Sequence, residues 1–169
     1  MKNLHSIAFC LLAVLLAYCT PQSPSAETEG ELDGVEVEVE YSSPRVRGRE
    51  GKIWGDMLPY GQVWRAGANE ATEVSFEQAV MVEGQRLEAG TYSLFMIPDE
   101  SEWQVIFNRA TDISGTDYES VKEQNALEVS VQPQKNTELR EELSYEIENG
   151  KLLLHWEYLT IPIAVSAAN

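Results

Sequence analysis

Strict alternation of apolar and charged side chains recurs along this chain, and it limits the possible folds more than any other feature. The longest run is Val-Glu-Val-Glu-Val-Glu-Tyr at residues 35–41, and residues 72–76 and 127–131 repeat the pattern. Successive side chains of a β-strand point to opposite faces of a sheet, so each run predicts a strand with one buried face. No long helical period is present, and only residues 117–125 favour a turn or two of helix.

The clearest turn signal is Asn149-Gly150, which separates residues 143–148 from residues 151–158. Both turn residues accept the positive φ angles of a type I′ turn, so the segment predicts a β-hairpin. Residues 161–165 alternate once more. Because Pro162 has no N–H to donate, we expect this last strand at a sheet edge or with Pro162 facing outward.

Other turn signals follow one another closely and separate short apolar or β-branched runs. The turns lie at residues 83–84, 89–90 and 98–101, and the runs at residues 80–82, 86–87, 91–97 and 103–107. Residues 133–142 are polar and predict a loop. The whole pattern favours an all-β fold, an antiparallel β-sandwich or flattened barrel of about eight or nine short strands with little helix.

The N-terminus has the features of an export signal. Residues 7–18 form an apolar run that is shorter than the roughly 20 residues of a membrane-spanning helix and typical of a signal peptide. Leu16-Ala17-Tyr18-Cys19 resembles a lipobox, in which the cysteine is acylated, although a small residue is usual where Tyr18 stands. Ordinary signal-peptide cleavage is the alternative, because Ala17 and Cys19 also fit its small-x-small rule.

The segment after Cys19 is polar and acidic, and we expect it to be a flexible tether. The predicted organisation is a signal peptide over residues 1–18, the lipid-attachment cysteine and tether over 19–34, and a single β domain over 35–169. This places the protein in the bacterial cell envelope, lipid-anchored at a periplasmic or surface face. A soluble periplasmic or secreted form is the alternative.

The charge balance excludes several classes of partner. The chain has 28 Asp and Glu against 12 Lys and Arg, a net charge of −16. Such acidity argues against nucleic acid and against electrostatic binding to an anionic bilayer, which leaves the lipid as the only membrane contact. Removal of residues 1–18 also takes away Cys10 and His5, so neither a disulfide nor a histidine-based metal site is expected, and no cofactor motif is present.

Residues 43–69 break the alternation and differ from the rest of the chain in composition. They carry two of the four tryptophans and a cluster of cationic residues: Arg45, Arg47, Arg49, Lys52 and Arg65. A cationic, aromatic, glycine-rich segment in a strongly acidic protein is a local exception. Such exceptions are where functional sites are expected.

The same segment resembles the domain of unknown function 2911 family. The resemblance rests on Ser43-Pro44, Gly48-Arg49, Ile53-Trp54-Gly55, Leu-Pro-Tyr-Gly-Gln-Val-Trp-Arg-Ala-Gly-Ala-Asn-Glu-Ala-Thr at 58–72, and the blocks at 87–98, 102–108, 156–157 and 161–163. Glu50-Gly51 stands as a small insertion where the family runs directly from arginine to lysine. The resemblance implies a compact, β-rich, exported bacterial domain with no established activity.

Three polar residues of this segment, Arg65, Asn69 and Glu70, are the first candidates for a ligand site. Arg65 offers a planar fork for a carboxylate or phosphate, and Asn69 and Glu70 lie on a glycine-rich approach to a strand. The alternative is structural, with Arg65 paired to Glu70 and Asn69 stabilising a turn.

Arg45, Arg47 and Arg49 alternate and would form a cationic stripe for an anionic ligand if the segment is extended. The alternative is an edge strand whose arginines pair with the protein's own carboxylates. Trp54, Tyr60 and Trp64 are aromatic candidates for stacking on a sugar, and the alternative is that the aromatic rings plug the end of the sandwich.

These observations favour a non-catalytic ligand-binding or accessory lipoprotein whose ligand is small and polar or anionic. No nucleophile, usable thiol or histidine cluster indicates a reaction. Two alternatives stay open at this point. One is a carboxylate-dependent hydrolase acting on an envelope or extracellular substrate, and the other is a structural or partner-binding envelope protein.

Overall fold

Two antiparallel β-sheets make up most of the molecule. The structure is a computed structural model, and it describes residues 22–114 and 117–168. The strands are β1 (Ser25–Leu32), β2 (Val35–Ser42), β3 (Thr72–Phe76), β4 (Val80–Val82), β5 (Gln85–Leu87), β6 (Gly90–Ile97), β7 (Trp103–Asn108), β8 (Asn125–Val131), β9 (Gln134–Glu148) and β10 (Lys151–Ala167). One short helix, α1 (Tyr118–Val121), and a 3₁₀ turn (Lys122–Gln124) precede β8 and match the helix expected at 117–125.

The sheets have six and four strands, and neither closes into a barrel. The strand order is β1-β2-β3-β6-β7-β8 in the larger sheet and β5-β4-β10-β9 in the smaller one. The expected all-β, sandwich-like fold is therefore confirmed, with two layers around one apolar core. Among the described residues there are ten strands, where the sequence predicts eight or nine.

Alternation in β2 produces the expected two faces. Val35, Val37 and Val39 are buried in the core, whereas Glu36 and Glu40 are exposed on the outer face. The same inward valines and outward carboxylates would exchange faces if the register slipped by one residue. Burial of the valines therefore fixes the register of β2 against its neighbours.

All four tryptophans of the chain meet in one cluster between the sheets. Trp54 packs edge-on against Trp64, Trp103 and Trp156, with ring centroids 5.5, 4.8 and 5.6 Å apart. Trp64 and Trp156 stack at 6.0 Å. Since β7 contributes Trp103 and β10 contributes Trp156, this cluster joins the two sheets and the irregular segment that carries Trp54 and Trp64.

The flexible tether predicted for residues 19–34 is wrong over most of its described length, because Ser25–Leu32 forms β1. Asp33 and Gly34 adopt φ angles of 54° and 82° and turn the chain directly into β2. The inner face of β1 carries small residues, and a Cβ on Gly30 would lie 2.8 Å from Ile147 Cγ2 of β9. Inward and outward residues do alternate along β1, but most of the inward residues are too small to form a recognisable apolar pattern in the sequence.

Glutamates face one another across the outer side of the β1–β2 hairpin. The opposed pairs are Glu27 with Glu40, Glu29 with Glu38, and Glu31 with Glu36. Like charges at directly opposite positions destabilise a sheet. The hairpin is therefore held by its backbone ladder and by its inner face, which packs on β9.

One prediction near the C-terminus is wrong, and another holds in one of its two forms, since Pro162 is not in an edge strand but faces away from the core between the buried Ile161 and Ile163. Residues 134–142 belong to β9 and not to a loop, although almost all of their side chains are exposed. Residues 161–165 continue β10, which lies inside its sheet between β4 and β9. Pro162 is tolerated there because β10 pairs with β9 only as far as Thr160 and with β4 only from Val165.

A second, smaller apolar cluster lies on the outer face of the six-stranded sheet. Phe95 of β6 and Ile106 of β7 are buried there beneath Ile113 and Tyr118. No helix in the described parts of the chain is long and apolar enough to span a membrane.

Replacement of Gly30 by alanine distinguishes a packed strand from a tether. We expect Gly30→Ala to lower the free energy of unfolding by about 1–3 kcal/mol, the usual range for overpacking, because Ile147 must move. Urea denaturation measures the effect. Ser25→Ala, an exposed change in the same strand, is the control and should stay within about 0.5 kcal/mol of wild type. A neutral or stabilising Gly30→Ala would show that this segment does not pack on β9.

Candidate functional site

A bulge in β10 interrupts the alternation of side chains at Glu157. The register between β10 and β9 shifts on both sides of this residue, and its φ angle is 55°. Six consecutive residues, Leu152 to Glu157, are buried, and Tyr158 is then exposed. A non-glycine residue with positive φ is strained, and bulges commonly re-aim side chains near functional sites. The bulge thus buries a carboxylate and turns the next aromatic ring outward.

Both residues line a cleft of about 580 Å³. Four segments that are distant in sequence surround it: Gly51, Trp54 and Tyr60 from the irregular segment, Asp99 and Glu100 from the β6–β7 turn, Pro133, Lys135 and Asn136 at the start of β9, and Glu157, Tyr158 and Leu159 from the bulge. We call this the aromatic–acidic cleft. Its volume suits one or two sugar-sized groups.

The carboxylate of Glu157 is almost completely buried, with 3% of the residue exposed. Its Oε1 accepts a hydrogen bond of 2.5 Å from the backbone N–H of Gly51. Within residues 22–114 and 117–168, its Oε2 accepts no hydrogen bond, and no cationic side chain lies at ion-pair distance. Oε2 is not among the fully buried atoms that lack a partner, so it opens to the cleft and to any group that enters it.

Two exposed aromatic rings flank this carboxylate in the cleft. Tyr60 and Tyr158 are each 38% exposed and are the only exposed aromatic residues in the described part of the chain. The Tyr60 ring rests on Gly55, whose φ is 88° and whose absent Cβ would lie 3.1 Å from the ring. Trp54 extends the tryptophan cluster to the cleft, and its buried Nε1 has no hydrogen-bond partner.

The cleft is acidic. Asp99, Glu100 and Glu157 contribute three carboxylates, and Lys135 contributes the one ammonium group among its lining residues. Burial, followed by Glu100, Asp99 and Glu157, raises the pKa of Tyr60 above its ordinary value. The Tyr60 hydroxyl therefore stays protonated at neutral pH and remains a hydrogen-bond donor, while the field around it repels anions.

A family model described as "Protein of unknown function (DUF2911)" matches residues 23–165. The chain belongs to this family. The resemblance found in the sequence is thereby confirmed, and the match includes β1, which the predicted domain boundary at residue 35 left out. No curated protein and no solved structure matches the chain.

In this DUF2911 domain, Arg65, Asn69 and Glu70 do not line one cleft. Asn69, with a φ of 58°, donates through Nδ2 to Ser23 O at 3.0 Å and to Ser42 Oγ at 2.9 Å, which fastens the start of β1. Glu70 is exposed at a separate acidic groove beside β1–β3. The proposed Arg65–Glu70 pair is absent among the described residues, where the buried Nε of Arg65 has no hydrogen-bond partner.

The cationic stripe of Arg45, Arg47 and Arg49 does not form, because the segment is not extended. Arg47 has a φ of 51° and begins a turn with Gly48. Arg45 forms an ion pair with Glu142 of β9, as the structural alternative expected. Arg49 donates to the backbone oxygens of Val46 and Arg45 and so stabilises its own loop.

The aromatic candidates separate into a core residue and a cleft residue. Trp64 is only 6% exposed and donates from Nε1 to Gly67 O at 3.0 Å, so it plugs the core and offers no surface to a sugar. Tyr60 lines the aromatic–acidic cleft. The sequence did not predict Glu157 and Tyr158 as site residues. The one feature that pointed to them was the Trp156-Glu157 pair, which resembles the family pattern.

A buried histidine network supports one edge of the cleft. Asn136 donates to Thr160 Oγ1 at 2.8 Å, and Thr160 Oγ1 lies 2.8 Å from His155 Nδ1. Since Thr160 accepts from the amide, its own proton is available to Nδ1, which favours the neutral imidazole. Burial lowers the pKa of His155, and Arg140 lowers it further. Two carboxylates raise the pKa and so oppose this shift: Glu146, which lies 3.4 Å from Nε2, and Glu148.

This histidine makes folding stability depend on pH. Because the pKa of His155 is lower in the folded state, the unfolded state takes up the proton first, and stability is lost as the pH falls below about 6.5. We expect this loss to level off below the native pKa and to be absent in His155→Gln. Urea denaturation between about pH 5 and pH 8 measures it. Parallel profiles for the two proteins would contradict the assignment.

Proposed function

We propose that this protein is an exported binding domain of the bacterial envelope and that a saccharide occupies its aromatic–acidic cleft. The observation that carries the proposal is the β10 bulge, which places the buried Glu157 carboxylate and the exposed Tyr158 ring in the cleft that also holds Tyr60. Bulges are over-represented next to active sites, where they re-aim side chains.

The chemistry of the lining suits a sugar. Sugar rings have apolar C–H faces that rest on aromatic rings and hydroxyl edges that donate to carboxylates and amides. Tyr60 and Tyr158 provide the rings, and Glu157 and Asn136 provide acceptors. The three carboxylates disfavour the anionic ligand that the arginine-rich segment first suggested.

Export and lipid attachment at Cys19 belong to the same proposal. They are supported by the short apolar run at residues 7–18 and by the lipobox-like sequence before Cys19, which lie outside the described residues. The start of β1 at Ser25 shortens the linker to the residues between Cys19 and Ser25. The six Cα–Cα steps from Cys19 to Ser25 reach about 20 Å when extended, so the anchored domain would stay close to the bilayer.

Ligand binding is tested by thermal shift on a chain that starts at Thr20 and so keeps the described fold. The probes are tetramers of glucose, mannose, N-acetylglucosamine and glucosamine. A ligand at 100 times its dissociation constant should stabilise wild type by about 2.7 kcal/mol. Tyr158→Ala should abolish the shift and Tyr158→Phe should keep it, because the ring supplies the stacking surface.

Leu139→Ala is the matched control, since Leu139 is also exposed, at 36%, and lies outside the cleft. This variant should keep the full shift. Absence of any shift with all four tetramers, or a shift that survives in Tyr158→Ala, would reject the cleft as a saccharide site.

The anchor is tested separately by labelling cells with radioactive palmitate. Wild type should incorporate the label and fractionate with membranes, whereas Cys19→Ser should lose both properties because it lacks the acylated thiol. Cys10→Ser is the control and should behave as wild type. Unlabelled wild-type protein in the soluble fraction would support ordinary signal-peptide cleavage instead.

A further inference from the structure

We infer that the aromatic–acidic cleft selects amino sugars, saccharides that carry a free protonated amine, over neutral and acidic ones. This inference rests on the proposed saccharide-binding function and names the class of saccharide. Its first support is charge, since three carboxylates and one ammonium group line the cleft. The net charge of −16 on the whole chain adds a field that attracts cations to the surface.

The second support is the state of Glu157. Its buried carboxylate has one oxygen on the Gly51 N–H, and its other oxygen accepts no hydrogen bond from the described residues. That second oxygen is open to the cleft, and a carboxylate that is mostly withdrawn from water attracts a cation more strongly than one in bulk solvent. A ligand ammonium that reaches Glu157 supplies the missing counter-charge, whereas a neutral hydroxyl would not.

The third support is the combination of that carboxylate with exposed rings. An ammonium group is attracted to the face of a tyrosine or tryptophan ring, most strongly where water is excluded. Tyr60 and Tyr158 present rings in the cleft, and Trp54 lies at its wall. A sugar amine therefore gains from the carboxylate and from the rings at once, while the pyranose ring keeps its apolar stacking surface.

A flexible polyamine satisfies only part of this arrangement. It carries the charge but has no rigid apolar face to cover the two tyrosine rings, and ordering its rotatable bonds costs entropy. A sugar acid has the apolar face, but its carboxylate would lie near Asp99, Glu100 and Glu157. The cleft thus favours ligands that join a positive charge to a pyranose ring.

Calorimetric titration of the glucosamine tetramer and its N-acetylated counterpart tests the inference, because the two differ only in the charge-bearing groups. We expect the glucosamine tetramer to bind about tenfold more tightly or better, since charge-assisted hydrogen bonds are roughly twice as strong as neutral ones. The preference should shrink as salt is raised.

Two variants locate the effect. Glu157→Gln keeps an oxygen for the Gly51 N–H but removes the charge, so it should lose most of the preference while still binding the N-acetylated tetramer. Glu100→Gln, at an exposed position of the same cleft, serves if Glu157→Gln does not fold and should weaken the preference. Glu123→Gln makes the same charge change outside the cleft and should leave the preference unchanged.

Equal or tighter binding of the N-acetylated tetramer would overturn the amino-sugar inference and leave the saccharide proposal standing. Spermine binding as tightly as the glucosamine tetramer would also overturn it, because charge alone would then suffice. Failure of both to bind, with binding of the glucose or mannose tetramer, would overturn the inference as well, and failure of all four tetramers would reject the proposed function itself. A preference that Glu157→Gln and Glu100→Gln both retain would place the selecting charge outside this cleft.

Discussion

Contact between the two sheets depends on the four-tryptophan cluster. Trp103 and Trp156 come from opposite sheets, and Trp54 and Trp64 come from the irregular segment that closes the end of the core. Edge-to-face aromatic pairs contribute beyond their area of burial, so loss of one ring weakens several contacts. Because Trp54 also lines the aromatic–acidic cleft, the position of the cleft is set by the packing of the core.

The β10 bulge departs from the regular strand geometry on which the rest of the fold is built. In strands such as β2 and β3, side chains alternate between core and outer face, and register follows from that alternation. At Glu157 a positive φ and a buried carboxylate are both unfavourable by themselves. The neighbouring Gly51 N–H and the buried network of Asn136, Thr160 and His155 hold this region in place.

Periodicity predicted the strands whose inward residues are apolar, such as β2 and β3, and local turn chemistry predicted the β9–β10 hairpin. Periodicity did not reveal β1, because its inner face carries glycine and other small residues. It also did not reveal most of β9, because the side chains there are exposed and the strand is held by backbone pairing. The cleft was largely missed because its four segments meet only in three dimensions. Of its lining residues, only Trp54 and Tyr60 were named in advance.

The unusual composition of residues 43–69 identified the right segment but mostly the wrong residues. A segment that departs from alternation leaves the sheets, so it must satisfy its own backbone and close the core. Arg49 serves the first need, and Trp54 and Trp64 serve the second. The Tyr60 ring above Gly55 is the exposed aromatic ring of the segment and faces the cleft. Composition can therefore locate such a loop. The hydrogen-bond partner of each polar group in the loop is needed to distinguish the residues that stabilise the loop from those that can bind a ligand.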